Sequence, residues 1–261
     1  MINRRRILQA TIAGAGLLTV GTGLFRRPAL AQSATLMSMV FISKRLDAST
    51  ADYRKWYIDH HAPDFMLYAK KYVSRYTQDF VEKGHMGAVD FDCISEFGYR
   101  SHELREGLFK AVEEPENQKI LARHPRIGVK PGPNEAHDGP RRFSIDEQLV
   151  AGTPRGFDKP GAFKQAAMLR IKGGASRDAF NAAARKYALS VAGSVKGTSE
   201  RVMIDLAVPE PGAMTPLYDA VIQVWPKGKA DHAKAFTAAP AEVELVNVLD
   251  LLAYESDTGG L

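Results

Sequence analysis

One order of hydrophobic patterns occurs twice along the chain, and it narrows the fold more than any other feature. Residues 35–43 read TLMSMVFIS, an apolar, β-branched run of the kind that forms strands. Ser49 is a natural N-cap, and beyond it Tyr53, Trp56, Tyr57 and His60 recur at i, i+3, i+4 and i+7. That spacing predicts a helix with one apolar stripe. Pro63 disfavours helical geometry at Ala62, so a break or bend is expected there. Strands are predicted over 72–81 and 89–97, with a turn at 84–87. A helix follows over 102–113, a further turn over 118–122 and a strand over 142–150. The succession then begins again, with a strand over 163–171, an Ala-rich helix over 176–190, strands over 200–208 and 218–224, a helix over 229–238 and a strand over 247–254.

Each half is therefore β-α-β-β-α-β, the split βαβ or ferredoxin-like plan, and the fold class is α+β. One such sheet leaves a face uncovered by its own helices, and that face must be buried. Packing the two sheets together within one chain is the economical solution, and it encloses a small barrel or sandwich able to hold a ligand. Twelve Pro or Gly residues fall within 125–161 and mark surface loop and linker. The expected division is a leader over 1–31, one half over 32–155 and a second over 156–261.

The net charge of +5 is confined to the leader, where Arg4, Arg5, Arg6, Arg26 and Arg27 stand without any acid. The rest is neutral, which leaves no electrostatic footprint for nucleic acid. The leader has a basic start, a 16-residue apolar run from Ala10 to Phe25 and the small-x-small end Ala29-Leu30-Ala31. These features predict a signal peptide cleaved after Ala31, and the paired arginines resemble a Tat export signal. An uncleaved anchor is the alternative, although the run is short for a span of ~20 residues. Periplasmic or extracellular placement follows, with the Tat machinery as a partner. The single cysteine, Cys93, cannot form an internal disulfide, so stability must come from the core.

MVFISKRLDASTADYRKWYIDHHAPDF, SRYTQDF, VDFDCISEFGY and NQKILARHP together resemble the EthD family of the dimeric α+β barrel superfamily. The resemblance covers about 36–150 and is strongest at His61-Ala62-Pro63, Tyr76 and 92–97. The second half follows the same plan without these signatures and reads as a degenerate repeat standing in for a second subunit. Further pairing of two chains is left open. The resemblance implies dehydration, cyclisation or a related lyase or isomerase reaction, without a cofactor, on a hydrophobic aromatic or phenolic molecule.

Among candidate catalytic residues, periodicity places His60 on the apolar stripe, whereas the resemblance selects His61. His61 lies about 80° from Tyr53 around the helix and nearest the bend. Neutral histidine is the usual proton shuttle. Asp92 and Glu96 share strand parity, opposite Cys93, Ser95 and Phe97, so both would face one side. Facing the enclosed side, burial would raise their pKa; facing the helices, they would pair with Arg75 or a backbone donor. Tyr72 and Tyr76 share parity and offer phenols to an oxygenated substrate, with core packing as the other reading. Trp56, Phe65 and Phe97 would wall an aromatic ligand, or simply pack. His85 sits in a glycine-flanked turn able to reach over a barrel mouth. His102, His124, His137 and His232 read as surface.

No His-x-x-x-His, Cys-x-x-Cys, phosphate loop or Gly-x-Ser-x-Gly elbow occurs, so no metal is expected. Haem is the alternative cofactor, because dye-decolourising peroxidases share the tandem plan. Their Gly-x-x-Asp-Gly motif is absent, since Gly87-Ala88-Val89-Asp90 is followed by Phe91. Two other functions remain open: a non-catalytic periplasmic binding protein and a haem oxidoreductase.

Overall fold

The computed structural model describes residues 31–44, 47–123, 141–156, 158, 160–210, 215–228 and 230–258. All of the expected leader but Ala31, together with His124, His137 and most of the first Pro/Gly-rich loop, lies outside the described residues. Among the described residues there are eight strands: β1 (Ala31–Ile42), β2 (Val73–Gly84), β3 (Cys93–Tyr99), β4 (Arg141–Gly152), β5 (Ala162–Ile171), β6 (Ser199–Val208), β7 (Ala220–Pro226) and β8 (Val243–Glu255). They close into one barrel in the order β1-β3-β2-β8-β5-β7-β6-β4, with every pair antiparallel. The first four strands stand as β4-β1-β3-β2 and the last four as β8-β5-β7-β6, the same permutation twice. The seams β2–β8 and β4–β6 join the two sets, which leaves no open edge.

Helices lie on the outside. Ser49 caps α1 (Thr50–Trp56) by accepting from the Asp52 amide at 3.0 Å. Pro63 does not break the chain. A π-turn over Tyr57–His61 leads into α2 (Ala62–Ala69), and the Ala62 amide donates to the Tyr57 carbonyl five residues back. Proline has no N–H for the regular ladder, and the wider turn absorbs the missing bond while helical direction continues. Ser101 caps α3 (His102–Glu113), which is followed by α4 (Pro115–Leu121). On the other side α5 (Arg177–Ser194) lays Phe180, Ala184, Tyr187, Ala188 and Val191 directly on Ala167, Leu169, Ile204, Ile222 and Val224. The helix expected over 229–238 is reduced to the single 3-10 turn Ala233–Phe236. Pro226, Gly228 and Pro240 flank it closely and leave no room for propagation.

Side chains fill the enclosed space expected between the sheets. Towards one end Met37, Met39, Phe41, Phe91, Phe143, Met168 and Leu249 make an apolar plug, with Phe41 stacked on Phe143 at 5.5 Å. Towards the other, a buried ionic network crosses the barrel. It comprises Asp79, Glu96, Glu147, Asp158, Asp205 and Glu255 with Arg75, Arg155, Lys164 and Arg201. Trp225 lies among these cations, with Arg201 4.4 Å and Lys164 5.0 Å from its ring centroid. Burial pushes Asp79 and Asp205 well above the usual carboxylate range. Six carboxyls face four cations there, and the raised carboxyls lessen the excess of negative charge in a dry interior.

The Asp205 shift has a definite pH signature. A carboxyl raised in the folded state contributes most in acid, and the contribution falls as pH rises above its unfolded value of 3.8. Asp205→Asn is expected to flatten the decline in stability from pH ~4 towards neutrality, read by urea unfolding across that range. An unchanged decline would mean that Asp205 is ionised in the folded protein.

Candidate functional site

A cavity of about 580 Å³ lies outside the barrel, between α3, the outer face of β1, β3 and β4, and the segment that follows β6. Alternation along the strands sends Val40, Phe97, Tyr99 and Ser144 to this face, while Met39, Glu96 and Ile145 face the interior. Helix α3 contributes Arg105, Leu108, Phe109 and Val112, at the 3-4-7 spacing of one helical face. Phe65 of α2 packs edge-on to Phe97 at 5.7 Å, and Phe97 stacks on Tyr76 at 4.8 Å. Val208, Pro209, Glu210, Thr215 and Pro216 complete the wall from the second set of strands.

The polar end converges on Ser144. The Arg105 guanidinium donates to Ser144 Oγ at 2.6 Å and to Glu210, and Ser144 Oγ donates to Glu210 at 2.8 Å. Arg105 also pairs with Glu106 at 3.1 Å. Burial pulls Arg105 down, but the hydrogen bonds to Glu210 and Glu106 outweigh it and leave its pKa raised. The Arg105 bond holds the Glu210 carboxyl below its usual range, against partial burial, so Glu210 is ionised at neutral pH. Arg142 stands at the mouth with its guanidinium 3.5 Å from the centroid of the Phe109 ring. Burial pushes the Tyr99 phenol up to about 12, so it remains neutral.

The residues expected from the sequence fall into separate environments. Phe65 and Phe97 line the cavity. His61 is on the same outer face but one ring behind it, stacked on Trp56 at 5.0 Å, beside Tyr57 at 4.6 Å and 6.3 Å from Phe65. Its place is among covering helices, not inside the barrel. His60, next in the π-turn, is half-buried. Tyr76 reaches Tyr57 Oη at 3.2 Å, and Tyr57 Oη reaches Ser95 Oγ at 2.7 Å, a buried hydroxyl chain beneath the turn. Burial holds both phenols well above their ordinary pKa.

Asp92 and Glu96 do not share a pocket. Asp92 precedes β3 and accepts the Lys44 amide at 2.9 Å, closing the turn beside β1. Glu96 does face the enclosed side, as one of the two readings held, but its pKa moves the other way. Burial alone would raise it, yet Arg155 and Lys164 together hold it well below the usual range. Arg75 serves the interior too, bridging Glu147 at 3.4 Å and Glu255 at 3.6 Å. Tyr72 lies just before β2 and packs on Gly107 of α3, where an added Cβ would meet its ring at 2.7 Å. His85 pairs with Asp250 at 2.9 Å, both side chains partly buried.

The sequence reasoning passed over Arg105, Arg142, Ser144 and Glu210. A signal for the first existed: Arg105, Leu108 and Val112 recur at i, i+3 and i+7, so a cation occupies an apolar stripe. Haem does not fit this cavity. Its wall, among the described residues, holds no histidine, cysteine or methionine, and the one phenol is pushed away from ionisation. No group of three or more metal-binding side chains occurs among the described residues.

No family model matches the sequence, and no curated protein matches it. Solved structures of similar chain course include an anthrone oxidase-like protein, 11% identical over 89% of this chain and 97% of that one, with TM-score 0.48. Another is the chlorite dismutase of Candidatus Nitrospira defluvii, 11% identical over 87% of this chain and 93% of that one, with TM-score 0.44. At these scores the neighbours' activities remain the neighbours' own.

Proposed function

We propose that the chain is a cofactor-independent enzyme of the lyase or isomerase type, acting by general acid-base chemistry on a hydrophobic, aromatic small molecule in the cavity beside α3. The observation that carries this reading is an aromatic-walled space of about 580 Å³ with a charged cluster at one end. Within it, the Glu210 carboxylate can accept a proton and orient an oxygen, and the neutral Tyr99 phenol can support one. His61, the expected proton carrier, is not in the cavity wall; its ring lies 6.3 Å from that of Phe65, which is.

The repeated strand permutation supports two ferredoxin-like halves of the dimeric α+β barrel kind, and the His61-Ala62-Pro63 segment supports EthD ancestry for the first. Export by the Tat route, with release of Met1–Ala31, completes the reading and is checked by a mature N-terminus at Gln32.

Incubation with a panel of phenolic and polyketide-like aromatics, followed by product mass, is the test. Turnover is expected in the wild type and is expected to be lost in Val112→Trp, which fills the cavity from α3. Stoichiometric binding without conversion would replace the enzyme by a binding protein, a second reading favoured by the lack of histidine among the described residues of the wall. Turnover persisting in Val112→Trp would place the chemistry elsewhere.

A further inference from the structure

The two arginines of the cavity have different tasks. Arg105 is occupied: Nη1 serves Ser144 and Glu210, while Nε and Nη2 serve Glu106 at 3.3 and 3.1 Å. Ser144 Oγ is occupied as well, accepting from Arg105 and donating to Glu210. Arg142 is held differently. Its guanidinium carbon lies 3.5 Å from the centroid of the Phe109 ring, and the residue is exposed. That contact is through the face of the guanidinium and leaves its N–H donors for other partners. The Arg105 guanidinium also lies over that ring, 5.7 Å from its centroid. Deeper in, Phe65, Phe97, Leu108 and Val112 offer only apolar surface.

Resting on the cavity reading above, we propose that the ligand is an aromatic carboxylate, or an equally flat aromatic anion, bound ring-first with its charged group on Arg142. The guanidinium over Phe109 presents the fork that matches a carboxylate, whereas Arg105 is already neutralised by Glu210 and Glu106. Arg105 acts as a positioning residue, through Ser144 and Glu210.

Matched probes test this: 2-naphthoate against 2-naphthalenemethanol, which share a ring system and differ in charge. Calorimetric titration of the full chain is expected to show tighter binding of the carboxylate by about tenfold or more, since a charge-assisted pair is made with one probe alone. Arg142→Gln is expected to bring carboxylate affinity down to that of the alcohol, and Arg142→Lys to keep part of the preference, because the point charge remains without the fork. Equal affinities in the wild type, or a preference that survives Arg142→Gln, would overturn the proposal and leave the cavity reading standing. Failure of both probes to bind would remove the cavity reading and this inference together.

Discussion

Lys164→Met is expected to lower the free energy of unfolding by about 3–5 kcal/mol, the range found when one partner of a buried ion pair is removed. The lysine is fully buried, with Nζ 2.8 Å from Asp79, 3.1 Å from Glu96 and 2.6 Å from Gln223 Oε1. Burial pulls its pKa down, but the two carboxylates overcome this and keep it charged. Methionine fills a similar volume without the charge, so most of the loss reflects counter-charge missing at Asp79 and Glu96, with Arg155 left alone on Glu96. Adding Glu96→Gln is therefore expected to recover part of the loss, and a double-mutant cycle on urea unfolding measures the coupling. Because Glu96 is held low in the folded state, its contribution is present above its unfolded value of 4.5 and is lost as pH falls towards the folded one. The cost of Lys164→Met should accordingly shrink in acid. A loss below about 1 kcal/mol at neutral pH would show that the network behaves like an exposed pair, reached by water.

Gly152→Ala is expected to cost about 3 kcal/mol or more, from strain and collision at one seam of the barrel. Gly152 ends β4 at φ +89°, and a Cβ there would lie 2.1 Å from the Glu200 carbonyl oxygen and 2.7 Å from Arg201 Cα. Both obstacles are backbone of β6, the strand that closes the barrel against β4, so neither can swing away. Gly174 supplies the control: its φ is +88°, and an added Cβ would meet nothing within 4 Å. Gly174→Ala should cost about 1–2 kcal/mol, the price of the left-handed backbone alone. Thermal or urea unfolding of the two variants side by side separates the terms, and equal losses would refute steric closure at the seam.

Much of the local structure was legible in the chain. The stripe at Tyr53, Trp56 and Tyr57, the Ser49 cap and the bounds of α3 all appear as the periodicities imply, because they depend on neighbours within a few residues. Strand parity separated Glu96 from Ser95 and Phe97 correctly, since successive side chains must alternate. The candidate site was legible only in its aromatic half, Phe65 and Phe97, which the apolar pattern already marked. Arg142 and Ser144 alternate like any strand residues, and Glu210 lies in a connection with no pattern to read.

Sequence alone determined the eight strands, the first helix of each half and the two faces of each strand, because hydrogen bonding and side-chain alternation are settled over short range. Only the tertiary structure decided which face is interior and what each face meets. Closure sets Glu96 against Lys164 and Gln223, which are 68 and 127 residues distant, and a carboxylate's pKa follows its nearest charges, not its position in the chain. The same closure moved the open space out of the barrel and under α3, since a lumen crossed by ion pairs and plugged by methionine and phenylalanine is already full.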